Sequence, residues 1–492
     1  MRTVYFARAQ ATVLGLLLLT PCLAWAAEPA DAAPRDKKAG QDNAQNMITL
    51  HADKPVVANF LGFGTEWDPN FWVQGTFKTG ADGKSEAGVT EEDWALVTRR
   101  IRWMRLPLVR MMILSRWCTA GDGKFNWESK NMQSLYRHLD VCQKEGIQVI
   151  LTDWGCVPEW VRVAGYSGVG DPKYAAGIGT YLDYLVNERK YTCLRYFILV
   201  NEPDNEAGGY DNWKQGVLNV AQVLRERKLS DRICFLGSDM TTAEDWHRKA
   251  VDQLQGVLGG YDFHRYAPEA EVRSGDLGRH IAAMWQYALA KDPQARNKPL
   301  MVAEAGIFSP GFTASNNPLH LKYEYGLYMA DYAAQAADAG SQAVLAWMLD
   351  DSSHAGFTWG MWQNKGGGFA LKPWFYTWSL LTRYFPRGSS LVAAEHACAG
   401  LRVLAGRIPK AEGAAWTVCL VNRDSAERKL RLSAPGAGKA AFQRYVYSRA
   451  ETKTDADGFP APVATEELDL NEGSAISCPG DGVVVLTSLK VE

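Results

Sequence analysis

The 492-residue chain lacks the short motifs by which many metal, nucleotide and redox proteins are recognised. Its nine cysteines include no CxxC pair, which disfavours structural zinc and thioredoxin-like chemistry. HExxH, HxH and GxSxG are absent, and Gly83-Lys84-Ser85 lacks the preceding glycine of a phosphate-binding loop. The sequence therefore implies no metal and no cofactor.

The chain also lacks an excess of charge of either sign. Its 53 lysines and arginines against 55 aspartates and glutamates give a net charge of −2. Proteins that bind nucleic acid or anionic membranes usually carry a basic patch or a basic balance, so neither partner is indicated. Beyond the N-terminus, no apolar run approaches the roughly 18 residues that a membrane-spanning helix needs. We expect no nucleic-acid partner and no membrane span.

The N-terminus has the pattern of a secretory signal. Arg2 and Arg8 precede the apolar core VLGLLLLTPCLA, and Ala24-Trp25-Ala26 is a small-x-small cleavage site. Residues 1–26 are therefore predicted to be a signal peptide. The polar residues 27–46 lack periodicity and are predicted to be a disordered tether. We expect the mature protein to be exported, either periplasmic or secreted.

Between Phe60 and about Phe385, eight short apolar runs alternate with amphipathic stretches. The runs are NFLGFGTEW, WMRLPLVRMMI, IQVILTDWG, LRYFILVNE, RICFLGSDM, YDFHRYAP, PLMVAEAG and AVLAWMLDD. The helical candidates lie near residues 90–103, 130–145, 173–189, 211–227, 242–258, 276–291, 320–339 and 373–384. Strands that alternate with helices indicate βα units, and eight of each is the number in a (β/α)₈ barrel. Residues 47–385 are predicted to form this TIM barrel in an α/β fold.

The pattern changes after this segment. Short alternating runs such as LRVLAGRI, AAWTVCLVN and GVVVLTSLKV are separated by glycine, proline and aspartate turns. Such spacing is typical of an antiparallel β-sandwich, which we predict for residues 386–492. MITLHADK, residues 47–54, precedes the first barrel run and could add a strand to that sandwich.

The residues at the carboxyl ends of barrel strands share one face of the fold and are candidates for a functional site. They are mostly acids, aromatics and neutral hydrogen-bonding groups: Glu66, Trp67, Arg105, Asp153, Trp154, Asn201, Glu202, Asp239, His264, Tyr266, Glu304, Trp347 and Asp350. This set suits a sugar more than a phosphate or a nucleotide. Several of the acids could instead be helix caps. Arg110, Arg116 and Arg265 could favour an acidic sugar, or could lie on a solvated face.

Four short motifs fall in order along these strands. They are Arg105-Leu106-Pro107 on the second, Asn201-Glu202-Pro203 at the end of the fourth, His264-Arg265-Tyr266 on the sixth and Glu304 at the end of the seventh. Together they resemble the clan A retaining glycoside hydrolases, TIM barrels with catalytic glutamates on strands four and seven. The tail KPWFYTWSLLTRYFPRGSSLV, followed by a sandwich, is similar to families thirty and thirty-nine of that clan. The resemblance covers the whole barrel and does not assign a family.

The resemblance implies that Glu202 is a general acid/base and Glu304 a nucleophile that together cleave an O-glycosidic, β-type bond by double displacement. Two nearby carboxyls are also what this chemistry requires. The substrate would be a polysaccharide or an oligosaccharide. The implied substrate-binding or positioning residues are Arg105, Trp154, Asn201, His264, Tyr266, Trp347 and Trp67. The alternative is a catalytically inactive carbohydrate-binding or scaffolding protein on the same barrel.

Each implied binding residue also has a structural interpretation. Asn201 is expected to bond the sugar 2-hydroxyl, and Trp347 to form an aromatic floor beneath the sugar. Arg105 is expected, with Tyr266, to hold Glu304 ionised, but a buried ion pair that fixes the barrel would explain it too. His264 could be a packing histidine with satisfied hydrogen bonds. The loop tryptophans could be core aromatics rather than sugar platforms.

Overall fold

The structure, a computed structural model, describes residues 46–72, 89–154, 165–313, 315–351 and 356–491. The predicted signal peptide and almost all of the predicted tether lie outside these residues. Within them, no helix has the length and apolar character needed to cross a membrane.

Eight parallel strands close into a barrel. The first strand of the chain, β1 (Met47–Val57), belongs to another sheet. The barrel strands are β2 (Gly62–Glu66), β3 (Leu108–Ile113), β4 (Gln148–Asp153), β5 (Leu194–Leu199), β6 (Cys234–Met240), β7 (Gly260–Pro268), β8 (Leu300–Phe308) and β9 (Ala343–Ala346). Strand β9 pairs with β2 and closes the ring. The strands are almost completely buried, as expected where helices cover the outside of a parallel sheet.

In the described residues, ten α-helices accompany the strands. They are α1 (Glu91–Met104), α2 (Lys130–Glu145), α3 (Pro172–Asp183), α4 (Pro203–Glu206), α5 (Tyr210–Glu226), α6 (Glu244–Leu254), α7 (Glu269–Ser274), α8 (Asp276–Lys291), α9 (Tyr323–Asp338) and α10 (Phe375–Tyr384). Local sequence sets several starts: Thr90 and Asp93 form a capping box, Ser129 caps α2, and Asp171 caps α3 ahead of a proline. Eight of these helices lie in the predicted stretches, and α4 and α7 are short additions in the loops after β5 and β7.

The second sheet has nine strands and is antiparallel except for one pair. It contains β1 together with β10 (Ser390–His396), β11 (Leu401–Pro409), β12 (Ala414–Asn422), β13 (Arg428–Ser433), β14 (Lys439–Tyr447), β15 (Ala464–Asp469), β16 (Ser474–Cys478) and β17 (Gly482–Thr487). Their order is β15-β14-β17-β12-β11-β10-β1-β13-β16, and β1 runs parallel to β13. The sheet curls so that β12 and β17 approach β16 around a separate apolar core. The predicted fold class is confirmed, with residues 47–54 inside this sheet.

Helix α9 joins the barrel to the second sheet by packing against β11, β12 and β17. Asp331 on α9 has a fully buried side chain and pairs with Arg402 at 3.2 Å and Arg423 at 3.0 Å, both from the second sheet. The hydroxyl of Tyr447 donates to the carbonyl of Tyr323 at 2.7 Å. The two parts of the molecule are therefore tied by buried polar contacts as well as by apolar packing.

Candidate active site

Arg110, the third residue of β3, is a fully buried hub at the carboxyl end of the barrel. Its Nη1 donates to Glu304 Oε1 at 2.7 Å, and its Nη2 donates to Asp239 Oδ2 at 2.8 Å and to Asn201 Oδ1 at 3.1 Å. Its Nε donates to the hydroxyl of Thr152 at 2.9 Å. Burial opposes the charge of Arg110, but Asp239 and Glu304 raise its pKa. One guanidinium on β3 thus links residues that lie in or just after four other barrel strands, β4, β5, β6 and β8.

Glu202 and Glu304 share this site. Glu202 lies directly after β5 as the N-cap of α4, and Glu304 lies in β8. A carboxyl oxygen of each lies within 4.8 Å of the other and of a ring nitrogen of His264. The hydroxyl of Tyr266 donates to Glu304 Oε2 at 2.7 Å. The Glu202 side chain is 20% exposed, against 5% for Glu304. One carboxyl is therefore enclosed by donors, and the other is open to the mouth of the barrel.

The ionisation of Glu304 is set by opposing influences. Burial raises its pKa, His264 and Arg110 lower it, and Glu202 and Asp239 raise it again. The net direction is upward. A carboxyl with a raised pKa becomes ionised at a higher pH than usual, so any function of the carboxylate is lost as the pH falls through that value.

His264 touches both glutamates. Its Nδ1 lies 3.1 Å from Glu202 Oε1 and 3.4 Å from Glu304 Oε2, and its Nε2 lies 3.0 Å from Asp239 Oδ1. Burial opposes a charge on the ring, but Asp239 and Glu304 raise its pKa well above the ordinary value. His264 is therefore part of the charged network and not a packing histidine.

The backbone around these residues is strained. Val200, Glu202 and Asp239 have φ angles of 72°, 46° and 55°, in the left-handed region that residues with a Cβ rarely adopt. Such conformations cost free energy and persist where surrounding contacts hold them, which occurs most often at functional sites. Two of the three residues belong to the hydrogen-bonded network itself.

A cavity of about 770 Å³ opens over the ends of β2, β3, β4 and β9, and neither Glu202 nor Glu304 is part of its lining. Trp154 and Trp347 form part of its lining, together with Glu66 and Met112. The indole of Trp347 packs edge-on against Phe357, with 5.7 Å between ring centroids. Aromatic and polar side chains share the lining of this cavity, a combination that suits a sugar, whose C–H groups pack on indole faces and whose hydroxyls form hydrogen bonds.

The indole Nε1 of Trp154 donates to Glu206 Oε2 at 2.6 Å. Glu206 ends the short helix α4, one turn after Glu202. Burial raises its pKa to about 8; the bond from Trp154 opposes the shift, and the nearby carboxyls of Glu202 and Glu304 add to it. The site thus also contains a carboxyl that is largely protonated at neutral pH.

Most of the predicted site residues lie together. Glu202, Glu304, Asn201, His264 and Tyr266 belong to the buried network. The predicted Trp154 and Trp347 lie at the neighbouring cavity. Two predicted residues, Arg105 and Trp67, lie elsewhere.

The prediction that Arg105 holds Glu304 is wrong. Arg105 is exposed and ends helix α1 in a left-handed conformation. Strand β3 begins only at Leu108, so Arg105 lies at the amino end of the strand, on the side of the barrel opposite to the site. Arg110, five residues later, makes the contacts expected of Arg105.

The prediction that Trp67 binds sugar is also wrong. Its side chain is fully buried and stacks on Trp94 of α1, with 5.8 Å between ring centroids. It also packs against the ring of His138 on α2, with 4.5 Å between ring centroids. The indole is turned between the barrel and its helices, where it fills the core.

The sequence contains signals that could have identified Arg110 and Glu206 as residues of this site. Arg110 is a charged residue inside the apolar run LVRMMI, and a fully buried arginine requires carboxylate partners. Arg265, the other interior candidate for binding an acidic sugar, pairs with Glu271 instead. Glu206 lies four residues after Glu202 in NEPDNE, a spacing that places two helical side chains on the same face.

The donor atoms of Glu202, His264 and Glu304 lie close enough together to suggest a metal site. However, Arg110 Nη1 lies 2.7 Å from both Glu304 Oε1 and His264 Nε2. The guanidinium already supplies a buried positive charge to Glu304. The three donor groups therefore belong to a hydrogen-bonded ionic network in which no metal ion is needed to balance the charge of Glu304.

Comparison with solved structures finds glycoside hydrolases. A family 30 endoxylanase from Clostridium papyrosolvens C71 aligns with a TM-score of 0.62 at 12% identity, over 90% of this chain and 100% of the other. The catalytic domain of a family 30 xylanase C from Talaromyces cellulolyticus gives 0.63 at 13% identity, over 90% and 100%. A family 51 α-L-arabinofuranosidase from Thermotoga petrophila RKU-1 gives 0.61 at 12% identity, over 91% and 100%.

The fold is that of these enzymes. No family model and no curated protein matches the chain by sequence. The structural alignments extend over the barrel and the second sheet together, which agrees with the predicted fold class. At such low identity they establish the fold alone.

Proposed function

We propose that this protein is a retaining glycoside hydrolase that cleaves O-glycosidic bonds in an oligosaccharide or a polysaccharide. The observation that carries the proposal is the approach of Glu202 and Glu304, whose carboxyl oxygens come within 4.8 Å of each other. Retaining enzymes hold their two carboxyls about 5–5.5 Å apart, whereas inverting enzymes need about 6.5–9.5 Å to admit a water molecule. The short separation favours double displacement.

The surroundings of the two glutamates support different roles. Glu304 accepts hydrogen bonds from Arg110 and Tyr266, and these donors favour an ionised, oriented carboxylate. It is proposed as the nucleophile that attacks the anomeric carbon. Glu202 is more exposed, as an acid that protonates the leaving oxygen and later deprotonates water has to be. It is proposed as the acid/base.

Asn201 is suited to bind the sugar beside the nucleophile. Its Oδ1 accepts from Arg110, so its side-chain NH₂ remains the group that can donate to a substrate hydroxyl. A hydrogen bond to the 2-hydroxyl strengthens as the oxocarbenium-like transition state forms. Trp154 and Trp347 would hold neighbouring parts of the saccharide by stacking in the cavity.

The test is a substrate screen followed by stereochemistry. The mature protein would be incubated with nitrophenyl glycosides and with β-glucan, galactan, mannan and xylan. Proton NMR of the first-formed product from an active substrate is expected to show the anomer of the substrate. An inverted first product would contradict the proposal. Binding of one of these polysaccharides without hydrolysis would instead support the inactive carbohydrate-binding alternative.

A further inference from the structure

His264 faces three acidic side chains from three different strands or strand ends. Its Nδ1 lies 3.1 Å from Glu202 Oε1 and 3.4 Å from Glu304 Oε2, and its Nε2 lies 3.0 Å from Asp239 Oδ1. A neutral imidazole has one donor and one acceptor nitrogen, whereas an imidazolium has two donors. Because carboxyl oxygens face both nitrogens, the geometry suits the imidazolium.

One contact instead favours the neutral imidazole. Arg110 Nη1 lies 2.7 Å from Nε2, and it could donate to that nitrogen only if Nε2 carried no proton. Nε2 would then direct a lone pair at the Asp239 carboxylate, which is itself held ionised by Arg110 at 2.8 Å. The charge balance of the network decides between the two states.

Besides the phenol of Tyr266, whose raised pKa favours its neutral form, six ionisable side chains form this network: Arg110, Glu202, Asp239, Asp262, His264 and Glu304. Burial and the neighbouring Asp239 raise the pKa of Asp262 well above its ordinary value, which favours its neutral form. The proposed mechanism starts with Glu202 protonated and Glu304 ionised. The remaining charges then cancel only when Arg110 and His264 are both cations, opposite Asp239 and Glu304. A neutral His264 would leave one uncompensated negative charge in a buried site, which is costly.

We propose that His264 is a cationic bridge that stabilises whichever of the two catalytic glutamates is ionised, and that Asp239 is the positioning residue that holds this bridge. The inference rests on the proposed function and deepens it. His264 is a catalytic residue in this scheme because it contacts both reacting carboxyls.

The bridge matches the movement of charge in the first step. An oxygen of Glu304 forms a bond to the anomeric carbon and loses its charge as an ester. The glycosidic C–O bond breaks, its electron pair goes to the leaving oxygen, and that oxygen takes the proton of Glu202. One negative charge therefore disappears at Glu304 and appears at Glu202. The Nδ1–H of His264 lies within 3.1–3.4 Å of both carboxyls, so the ring need not move to follow the charge.

Asp239 is placed to fix the bridge. Its Oδ1 faces His264 Nε2, and its Oδ2 accepts from Arg110 and, at 3.4 Å, from the backbone N–H of Glu202. Its left-handed backbone shows that this placement is held against strain. Loss of its charge would remove the nearest counter-ion of His264 and lower the pKa of the ring.

The test is NMR of histidine ring carbons and nitrogens in the intact protein. The chain has eight histidines, and the signal that is lost in His264→Gln identifies the ring. In the wild type, we expect His264 to remain imidazolium at neutral pH and above. In Asp239→Asn, the midpoint of its titration should fall by roughly one pH unit or more. In Asp262→Asn, which replaces a carboxyl that is already neutral, the titration should match the wild type.

Kinetics on an active aryl glycoside give a second readout. Asp239→Asn should lower kcat/KM by about tenfold or more, since one pKa unit corresponds to a tenfold change in an equilibrium constant. The loss should lie mainly in kcat and should grow on the alkaline side of the pH profile, where the weakened imidazolium is neutral. A loss of activity with an unchanged His264 titration would mean that Asp239 acts on structure alone and would overturn its role.

A neutral His264 at pH 7 in the wild type would overturn the bridge, even if the glycosidase screen succeeds. This measurement needs no folded variant of Asp239. An imidazolium His264 in a protein that hydrolyses no glycoside would overturn the proposed function and would leave the charged state of the ring established. The two failures are therefore distinguishable.

Discussion

Two of the buried ionic clusters in the described part of the chain differ in composition. Where the barrel meets the second sheet, a single carboxyl on Asp331 faces two arginines, Arg402 and Arg423. At the mouth of the barrel, a single arginine, Arg110, faces two carboxyls directly, and further acids surround them. The first cluster has a cationic excess at the edge of the solvent, and the second has an acidic excess inside a cleft.

The consequence of this difference is seen in the ionisation of the acids. At the interface, burial raises the pKa of Asp331, and Arg423, Gln335 and Arg402 all oppose the shift. At the mouth, burial is again the largest cause, but neighbouring acids add to it: Asp68 and Asp350 raise the pKa of Glu66, and Glu202 raises that of Glu206. Carboxyls that perturb one another in a cleft are a signature of sites that move protons, whereas an acid opposed only by donors is a structural contact.

The largest effect is expected at the nucleophile. Glu304→Gln keeps the shape of the side chain and removes its charge, so the covalent step should fail and kcat/KM should fall on the order of 10⁴-fold or more for every substrate. The variant also leaves buried Arg110 with one carboxylate partner fewer, so the kinetics are compared at a temperature where the variant is folded. The matched control is Glu206→Gln. It replaces another carboxyl of the same site that has no assigned catalytic step, so the variant should keep most of the activity. Equal losses in the two variants would contradict the assignment.

The second effect separates the roles of the two glutamates. Glu202→Ala should lose most activity on substrates with poor leaving groups, because those require protonation of the leaving oxygen. It should keep activity on an activated aryl glycoside, and azide should increase the rate and give a glycosyl azide of retained configuration. If Glu304→Ala showed this behaviour and Glu202→Ala were inactive on every substrate, the two roles would have to be exchanged.

The sequence predicted much of this site because two periodic signals coincide. Eight apolar runs with amphipathic stretches between them give a barrel, and the last residue of a run then lies at the carboxyl end of a strand. This reasoning brought Glu202 and Glu304 to one site, although Glu304 lies within β8 (Leu300–Phe308) and not at its end. It failed for Arg105, because the apolar run WMRLPLVRMMI contains the end of helix α1 as well as strand β3, and periodicity alone does not mark the boundary.

Other features depended on tertiary contacts that no local pattern contains. Trp67 follows a strand end as Trp154 does, but only packing against α1 turns its indole into the core. The parallel pairing of β1 with β13 joins residues almost 400 positions apart in the chain. The raised pKa of Glu206 comes mainly from burial in the folded protein, and the carboxyls of Glu202, Glu304 and Asp239 add to it. In each case the deciding energy comes from a distant neighbour.

At the interface the expected effect is on stability. Asp331→Asn would leave Arg402 and Arg423 close together without a counter-charge, and the free energy of unfolding should fall by about 3 kcal/mol, at the lower end for broken buried pairs because Arg402 is partly exposed. Activity should be unchanged at temperatures where the variant is folded. The control is Asp457→Asn, which breaks an exposed pair with Arg99 of α1 and should have little effect on the melting temperature. A loss of activity without a loss of stability would contradict the purely structural role assigned to the Asp331 cluster.

The smallest effect tests whether the mouth really carries surplus acid. The folded-state pKa of Glu206 is about 8, and its ordinary value is 4.5. Because the carboxyl ionises more readily in the unfolded chain, it lowers the stability of the protein progressively as the pH rises from about 4.5 to about 8. Glu206→Gln removes this penalty, and its amide oxygen can still accept from Trp154. The variant should therefore melt about 2 °C higher than the wild type at pH 8, with no difference at pH 4, if partial exposure of the side chain screens most of the shift. Differential scanning calorimetry over this pH range measures it. Parallel curves for the two proteins would show that Glu206 titrates normally, and the acidic excess would then be limited to the network around Arg110.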